Sequence, residues 1–247
     1  MIRGIFLDID NTLISSIEAY KFALEKISKK WKAKCTSEIN FLQSFEMCKS
    51  EIKKNLPNVP TNRNRILVFK LMRDLGLLSV SVKDLLELEE DYFSFFQEHI
   101  VYQLKIYKES YQKLFDLLKK LSRDKKIVLI SNESLRTQLL KLSWFFPENI
   151  PYILITSEEV GIEKPSPIIF QKALQITQLQ SREVVMLGDS LGDDVLGAIQ
   201  TGIQAYWIEN IFGEENVIEQ KIGNQIIKKF SNLNFALETL LEISNYT

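Results

Sequence analysis

The 247-residue chain carries 31 Lys and Arg against 32 Asp and Glu, a formal charge of −1, with 45% hydrophobic and 26% charged residues. Such a chain is long enough to bury a core, either as one large domain or as a domain with a sizeable insert. The near-zero charge excludes bulk attraction to nucleic acid or an anionic membrane, and no apolar run approaches the roughly 20 residues that cross a bilayer.

Residues 2–8, IRGIFLD, read as a strand, and the chain then sets Asp8 and Asp10 almost side by side, followed by Asn11 and Thr12. Buried carboxylates repel each other and resist losing water. A strand that ends in this way needs a compensating charge, a proton or a chemical task. The start shows no secretory signal, and a cytoplasmic location is expected.

From about residue 15 to residue 104 no strand pattern appears. Apolar spacing predicts helices over residues 17–31, 37–56, 64–75 and 82–104, with NLPNVPTN as a loop and Gly76 as a C-cap. The aromatic group Tyr92, Phe93, Phe95 and Phe96 is read as packing. Cys35 and Cys48 have no neighbour at metal-ligand spacing and are read as reduced thiols. His99, the single histidine, lies in a helical pattern, which leaves carboxylates to carry any chemistry. The Lys pairs at 29–30, 53–54, 119–120, 125–126 and 228–229 are read as solvated helix faces.

After this insert the rhythm changes. A helical pattern, YQKLFDLLKKLS, leads into the apolar run KIVLIS at 126–131. Further buried-strand candidates are YILIT (152–156), EVVML (183–187) and QAYWI (204–208). SPIIFQKALQI and GDDVLGAIQTG read as helices between the later strands. In the tail, NQIIKKF suits a short strand and NLNFALETLLEI a closing helix with an Asn cap. Alternating strands and helices predict an α/β fold, a parallel sheet with right-handed crossovers.

Ligands of such sheets bind beyond the carboxyl ends of the strands. Those ends carry Asp8, Asp10 and Thr12; Ser131 and Asn132; Lys164 in GIEKPSP; and Asp189, Asp193 and Asp194 in GDSLGDD. Clustered aspartates suit Mg²⁺, a hard ion with oxygen ligands, which can bridge to a phosphate. A carboxylate held against a phosphoryl group is a competent nucleophile. A second carboxylate two residues on can protonate the leaving oxygen and later activate water.

In this order the motifs DIDNT, LISN, EKPSP and GDSLGDDVLGAIQTGI resemble the four motifs of the haloacid dehalogenase superfamily. The resemblance implies a Rossmann-like core with helices on both faces, formed by residues 1–14 and 105–247, and a helical cap formed by residues 15–104. It implies Asp8 as nucleophile, Asp10 as general acid and base, and Thr12 as support of the first loop. Ser131, Asn132 and Lys164 would bind the phosphoryl group. Asp8, Asp189 and the main-chain carbonyl of Asp10 would hold Mg²⁺, and Asp194 would orient the ion's water or Lys164. The role of Asp193 stays open.

An Asp at position 10 points away from the dehalogenase branch, whose leaving halide needs no proton. The implied activity is Mg²⁺-dependent hydrolysis of a small phosphorylated metabolite, with no nucleic-acid or membrane partner. DNT in place of the commoner DGT is similar to members acting on nucleoside monophosphates or sugar-acid phosphates; sugar phosphates complete the expected class. A phosphomutase, a catalytically retired scaffold and a nucleotide-sugar glycosyltransferase using DID as a metal site are the alternatives.

Overall fold

The computed structural model describes residues 1–36, 40–222 and 225–245. Five strands, β1 (Gly4–Leu7), β2 (Lys126–Ser131), β3 (Ile153–Thr156), β4 (Val184–Gly188) and β5 (Gln204–Asn210), run parallel. With β6 (Val217–Ile222) and β7 (Gln225–Asn232) they form one sheet in the order β3-β2-β1-β4-β5-β7-β6. Strand β7 pairs in parallel with β5, and β6 closes the edge antiparallel to it. That antiparallel edge departs from the all-parallel expectation. VIEQKI is mostly exposed and offers no continuous apolar run to mark it as a strand.

The apolar strands are covered on both sides, as their composition requires. Ile5 and Leu7 of β1 join one buried cluster, with the helices α5 (Lys108–Leu121), α6 (Leu135–Phe145) and α10 (Leu233–Asn245). Phe6 faces the other cluster, with α8 (Pro167–Thr177) and α9 (Gly197–Gln200); the short α7 (Ser157–Val160) follows β3. Asn232 caps α10 by accepting the Phe235 N–H at 2.9 Å.

Between β1 and α5 stand the helices α1 (Ser16–Lys30), α2 (Phe41–Asn55), α3 (Arg65–Asp74) and α4 (Val82–Ile106). The predicted helix over 37–56 begins at Phe41, behind an Asn40 cap; residues 37–39 of that expectation lie outside the described residues. Gly76 takes a φ of 70° just past α3, the left-handed conformation that suits a residue without Cβ. On α1, Ala19, Ala23 and Ile27 are buried at four-residue intervals, as are Tyr92, Phe96 and Ile100 on α4. The two helices pack against each other along these rows. The same apolar cluster runs on into the sheet face, so helical segment and sheet share one core.

Two Lys pairs are not solvated helix faces. Lys125 and Lys126 sit at the entry to β2, where Lys125 is buried beside Asp124 and Lys126 Nζ donates to the Thr177 carbonyl at 2.6 Å. Lys228 and Lys229 lie within β7. Among the described residues, no helix is long and apolar enough to cross a membrane.

Candidate active site

The sheet order reverses between β1 and β4, and a ligand crevice forms at such a switch point. Register decides what stands there. Leu7 lies opposite both Leu187 and Leu129, and the Asp8 N–H donates to the Leu187 carbonyl at 3.0 Å. Asp8 therefore leaves β1 level with Gly188 and Asp189 on one side and Ile130 and Ser131 on the other. Gly188 is small by necessity, because a Cβ there would overlap the Asp194 carboxyl group. The turn after β1 needs Asn11 at φ 65°, a conformation Asn tolerates, and its Oδ1 accepts the Ile17 N–H at 3.0 Å to start α1.

The carboxylates of Asp8, Asp189 and Asp194 converge with one oxygen each within 4.8 Å of the others. Lys164 Nζ stands between two of them, 2.6 Å from Asp8 Oδ1 and 2.6 Å from Asp194 Oδ1, and donates its third proton to the Ile130 carbonyl at 3.0 Å. All three ammonium protons are thereby engaged. Thr12 Oγ1 accepts the Asp189 N–H at 3.0 Å and lies 3.2 Å from Asp8 Oδ2 and 3.3 Å from Asp189 Oδ1, so its single proton serves one carboxylate at a time.

One cation does not neutralise this group. Burial pushes the Asp8 carboxyl well above its usual range; Lys164 opposes the rise, while Asp194, Asp189 and Asp10 add to it. Burial and the Asp194 charge raise Asp189 from 3.8 to about 6. An oxygen-only donor set with surplus negative charge fits a hard divalent cation.

Asp10 lies apart from that group. Its carboxylate accepts Lys141 Nζ at 2.5 Å and Gln138 Nε2 at 2.6 Å. Burial alone would raise its pKa, but Lys141 prevails and holds Asp10 below the ordinary value. The carboxylate cluster is therefore Asp8, Asp189 and Asp194, and Asp10 has only its main chain to offer an ion there. Asn132 lines the cavity, and its carboxamide donates to the Lys164 carbonyl at 3.1 Å and accepts the Lys164 N–H at 2.7 Å, which positions the lysine. Ser131 Oγ accepts from Glu133 N at 3.1 Å and Gln138 Nε2 at 2.6 Å, which leaves its own proton to give. Asp193 lines the same cavity, with its N–H donating to Ser190 Oγ at 3.1 Å.

The sequence reading missed Gln138 and Lys141. They stand three residues apart on α6 and are fully buried, and Lys141 Nζ also reaches the Tyr20 hydroxyl at 2.6 Å. The available signal is a Gln and a Lys on the buried face of α6, among Leu142 and Phe145. Two ion pairs from the helical segment went unseen for the same reason. Arg63 Nε reaches Glu163 at 2.5 Å, beside Lys164, and Arg65 reaches Glu133 at 3.4 Å, beside Asn132.

The Asp189 shift has a testable sign. A pKa of about 6 against an ordinary 3.8 means that folding favours the protonated acid. That contribution is complete below the ordinary value and is lost as pH rises through the folded one. In chelator at pH 7.5, Asp189→Asn should therefore be more stable than wild type, on the order of 1 kcal/mol once partial exposure is allowed for. The gap should close near pH 4. Thermal melts across that range check it, and a gap that is absent at pH 7.5 or unchanged at pH 4 would refute it.

A family model described as haloacid dehalogenase-like hydrolase matches residues 2–202. Among curated relatives, ribulose-1,5-bisphosphate 5-phosphatase of Halopiger xanaduensis is 26% identical over 67% of this chain and 66% of its own length. Glyceraldehyde 3-phosphate phosphatase of Pyrococcus furiosus is 30% identical over 40% of each chain. Pyrimidine 5'-nucleotidase YjjG of Escherichia coli is 33% identical over 37% of this chain and 41% of its own. The chain thus spans less than two thirds of the length of these relatives. Among solved structures, a 2-haloacid dehalogenase from Pseudomonas syringae pv. Tomato superposes with a TM-score of 0.67 at 21% identity, covering 98% of this chain and 100% of that one. A HAD phosphatase from Thermococcus onnurineus gives 0.54 at 21% identity, covering 97% and 98%. With the family match covering most of its length, this chain belongs to the haloacid dehalogenase-like hydrolases.

Proposed function

We propose that the protein is a Mg²⁺-dependent phosphatase acting on a small phosphomonoester. The observation that carries this reading is the pairing of two aspartates with separate environments. Asp8 sits in a cation-demanding carboxylate cluster, and Asp10, two residues on, has its own buried Lys141. Divided surroundings divide roles.

In this reading Asp8 attacks phosphorus, forming a carboxyl–phosphoryl bond as the bond from phosphorus to the ester oxygen breaks. Asp10 gives that leaving oxygen a proton. Water then attacks the phosphorylated Asp8 as Asp10 takes the water's proton, and phosphate departs with Asp8 restored. Lys141 holds Asp10 ionised for the second step. A dianionic phosphoryl group arriving nearby raises its proton affinity for the first. Ser131 supplies a hydroxyl proton to a phosphoryl oxygen, and Lys164 holds Asp8 in place. Asp8, Asp189 and the Asp10 carbonyl would hold Mg²⁺, with Asp194 alongside, and the ion would supply charge neutralisation for the phosphoryl oxygens.

Residues 15–104 act as a cap on a core of residues 1–14 and 105–247 and exclude water from the reaction. The ion pairs Arg63–Glu163 and Arg65–Glu133 tie this cap to loops that carry the phosphate-binding residues. The relatives' named substrates, a sugar bisphosphate, a triose phosphate and a pyrimidine nucleotide, suit sugar phosphates, sugar-acid phosphates and nucleoside monophosphates as the class to screen. The test is phosphate release from such a panel with Mg²⁺ and with chelator. Chelator-sensitive turnover is expected. Its absence across the panel from folded protein would leave the retired scaffold as the better account.

A further inference from the structure

The cavity above the active site, about 310 Å³, has walls of opposite charge. Carboxylates dominate the core side. From the cap side four cations face in: Lys49 and Lys53 on α2, Arg63 in the turn before α3, and Arg65 at the start of α3. Two are already answered. Arg65 contacts Glu133 and the Tyr92 hydroxyl and lies 4.6 Å from the Tyr20 ring centre, and Arg63 is held by Glu163.

The two lysines differ. Lys49 meets Glu46 at 3.4 Å with both side chains about half exposed, a pairing of small consequence. Lys53 forms no ion pair among the described residues, and the other acid of its helix, Glu51, accepts from Asn55 at 2.9 Å. Lys49 and Lys53 stand four residues apart and so share a face of α2, where like charges work slightly against the helix. An anion between them would reverse that sign. On the phosphatase reading the transferring phosphoryl group sits against Asp8, beside Ser131 and Lys164 on the core side, which leaves the α2 lysines for another anion.

We propose that Lys49 and Lys53, flanked by Arg63, form a subsite for a second anionic group, so that the substrate is a phosphomonoester with a carboxylate or a second phosphate at its far end. This rests on the phosphatase reading and adds the substrate's charge pattern to it. Lys53 also stands in the last turn of α2, where a cation offsets the helix dipole. Lys54 does so equally without lining the cavity, and it is the control.

The test uses two matched pairs: 3-phosphoglycerate against glycerol 3-phosphate, which differ by a carboxylate, and fructose 1,6-bisphosphate against fructose 6-phosphate, which differ by a phosphate. Wild type should favour the doubly anionic member of at least one pair by about tenfold in kcat/KM, mainly through KM. The responding pair identifies the anion. The Lys49→Met/Lys53→Met double variant should lose that preference and keep its activity on the neutral-tailed member within about twofold. Lys54→Met should match wild type. Indifference of wild type to both tails, or a preference that survives the double substitution, overturns the subsite. If wild type turns over none of the four, the wider panel with and without chelator decides the phosphatase reading, and the subsite is judged separately by calorimetric binding of the same compounds to Asp8→Asn with and without the two lysines. Charge-selective, lysine-dependent binding supports it, and unselective or absent binding overturns it.

Discussion

Asp8→Asn is expected to lower phosphate release by at least about 10⁴-fold, the scale on which loss of a nucleophile is felt, while the protein stays folded and melts at a higher temperature. The two effects have one origin. Asp8 is buried 6% exposed at the end of β1, with Asp189 and Asp194 near enough to share an ion. Burial and those neighbours raise its pKa well above the ordinary value despite Lys164. A raised carboxylate pKa means that the ionised group opposes folding at neutral pH. Asparagine has nearly the same shape, still offers an oxygen to Lys164, and carries no charge. Each kcal/mol so recovered should raise the midpoint by about 2–4 °C in a chain of this length. Single-turnover assays and thermal melts in chelator at pH 7.5 check both halves. Retained turnover would remove Asp8 as nucleophile, and a lowered midpoint would show that its attraction to Lys164 outweighs the repulsion.

Lys164→Met should be as damaging to activity and far more damaging to the fold. Methionine fills much of the lysine's volume but leaves Asp8 and Asp194 without the ammonium group that lies 2.6 Å from each. Removing one member of a buried ionic group exposes the uncompensated charge of the rest, typically about 3–5 kcal/mol. In this chain that corresponds to a fall in midpoint on the order of 10 °C. The deficit should shrink as pH falls, because the Asp8 carboxyl, already raised by burial, takes up a proton more readily once the ammonium group is gone. Mg²⁺ at neutral pH should raise the variant's midpoint, since an ion that binds only the folded state stabilises it. A variant that melts with wild type at pH 7.5 would mean that the carboxylates are already neutral without the lysine.

Most of what places the site was readable from local pattern. The strands were visible because five short apolar runs alternate with helical ones, and the acids, the Ser and the Lys stand just past their ends. What escaped involved partners far apart in the chain. Lys141 meets Asp10 across 131 residues, and Arg65 meets Glu133 across 68. No window of sequence contains both members. The Lys53–Lys54 pair is on an exposed helix face as read, but only the folded structure shows that Lys53 also lines the cavity and Lys54 does not. The edge strand β6 was missed because its pairing with β7, not its own apolar content, makes it a strand.

By itself, then, the sequence determined the family, the α/β alternation and the arrival of Asp8, Ser131, Lys164 and Asp189 at one sheet edge. Parallel register follows from where each apolar run stops, and that is a local property. Tertiary structure alone decided which charge answers which. Lys164 bridges Asp8 and Asp194, Lys141 pairs with Asp10 instead, and Lys49 and Lys53 face the cavity. Charge pairing falls steeply with distance and strengthens with burial, so it is set by how the helices pack on the sheet and not by the order of residues along the chain.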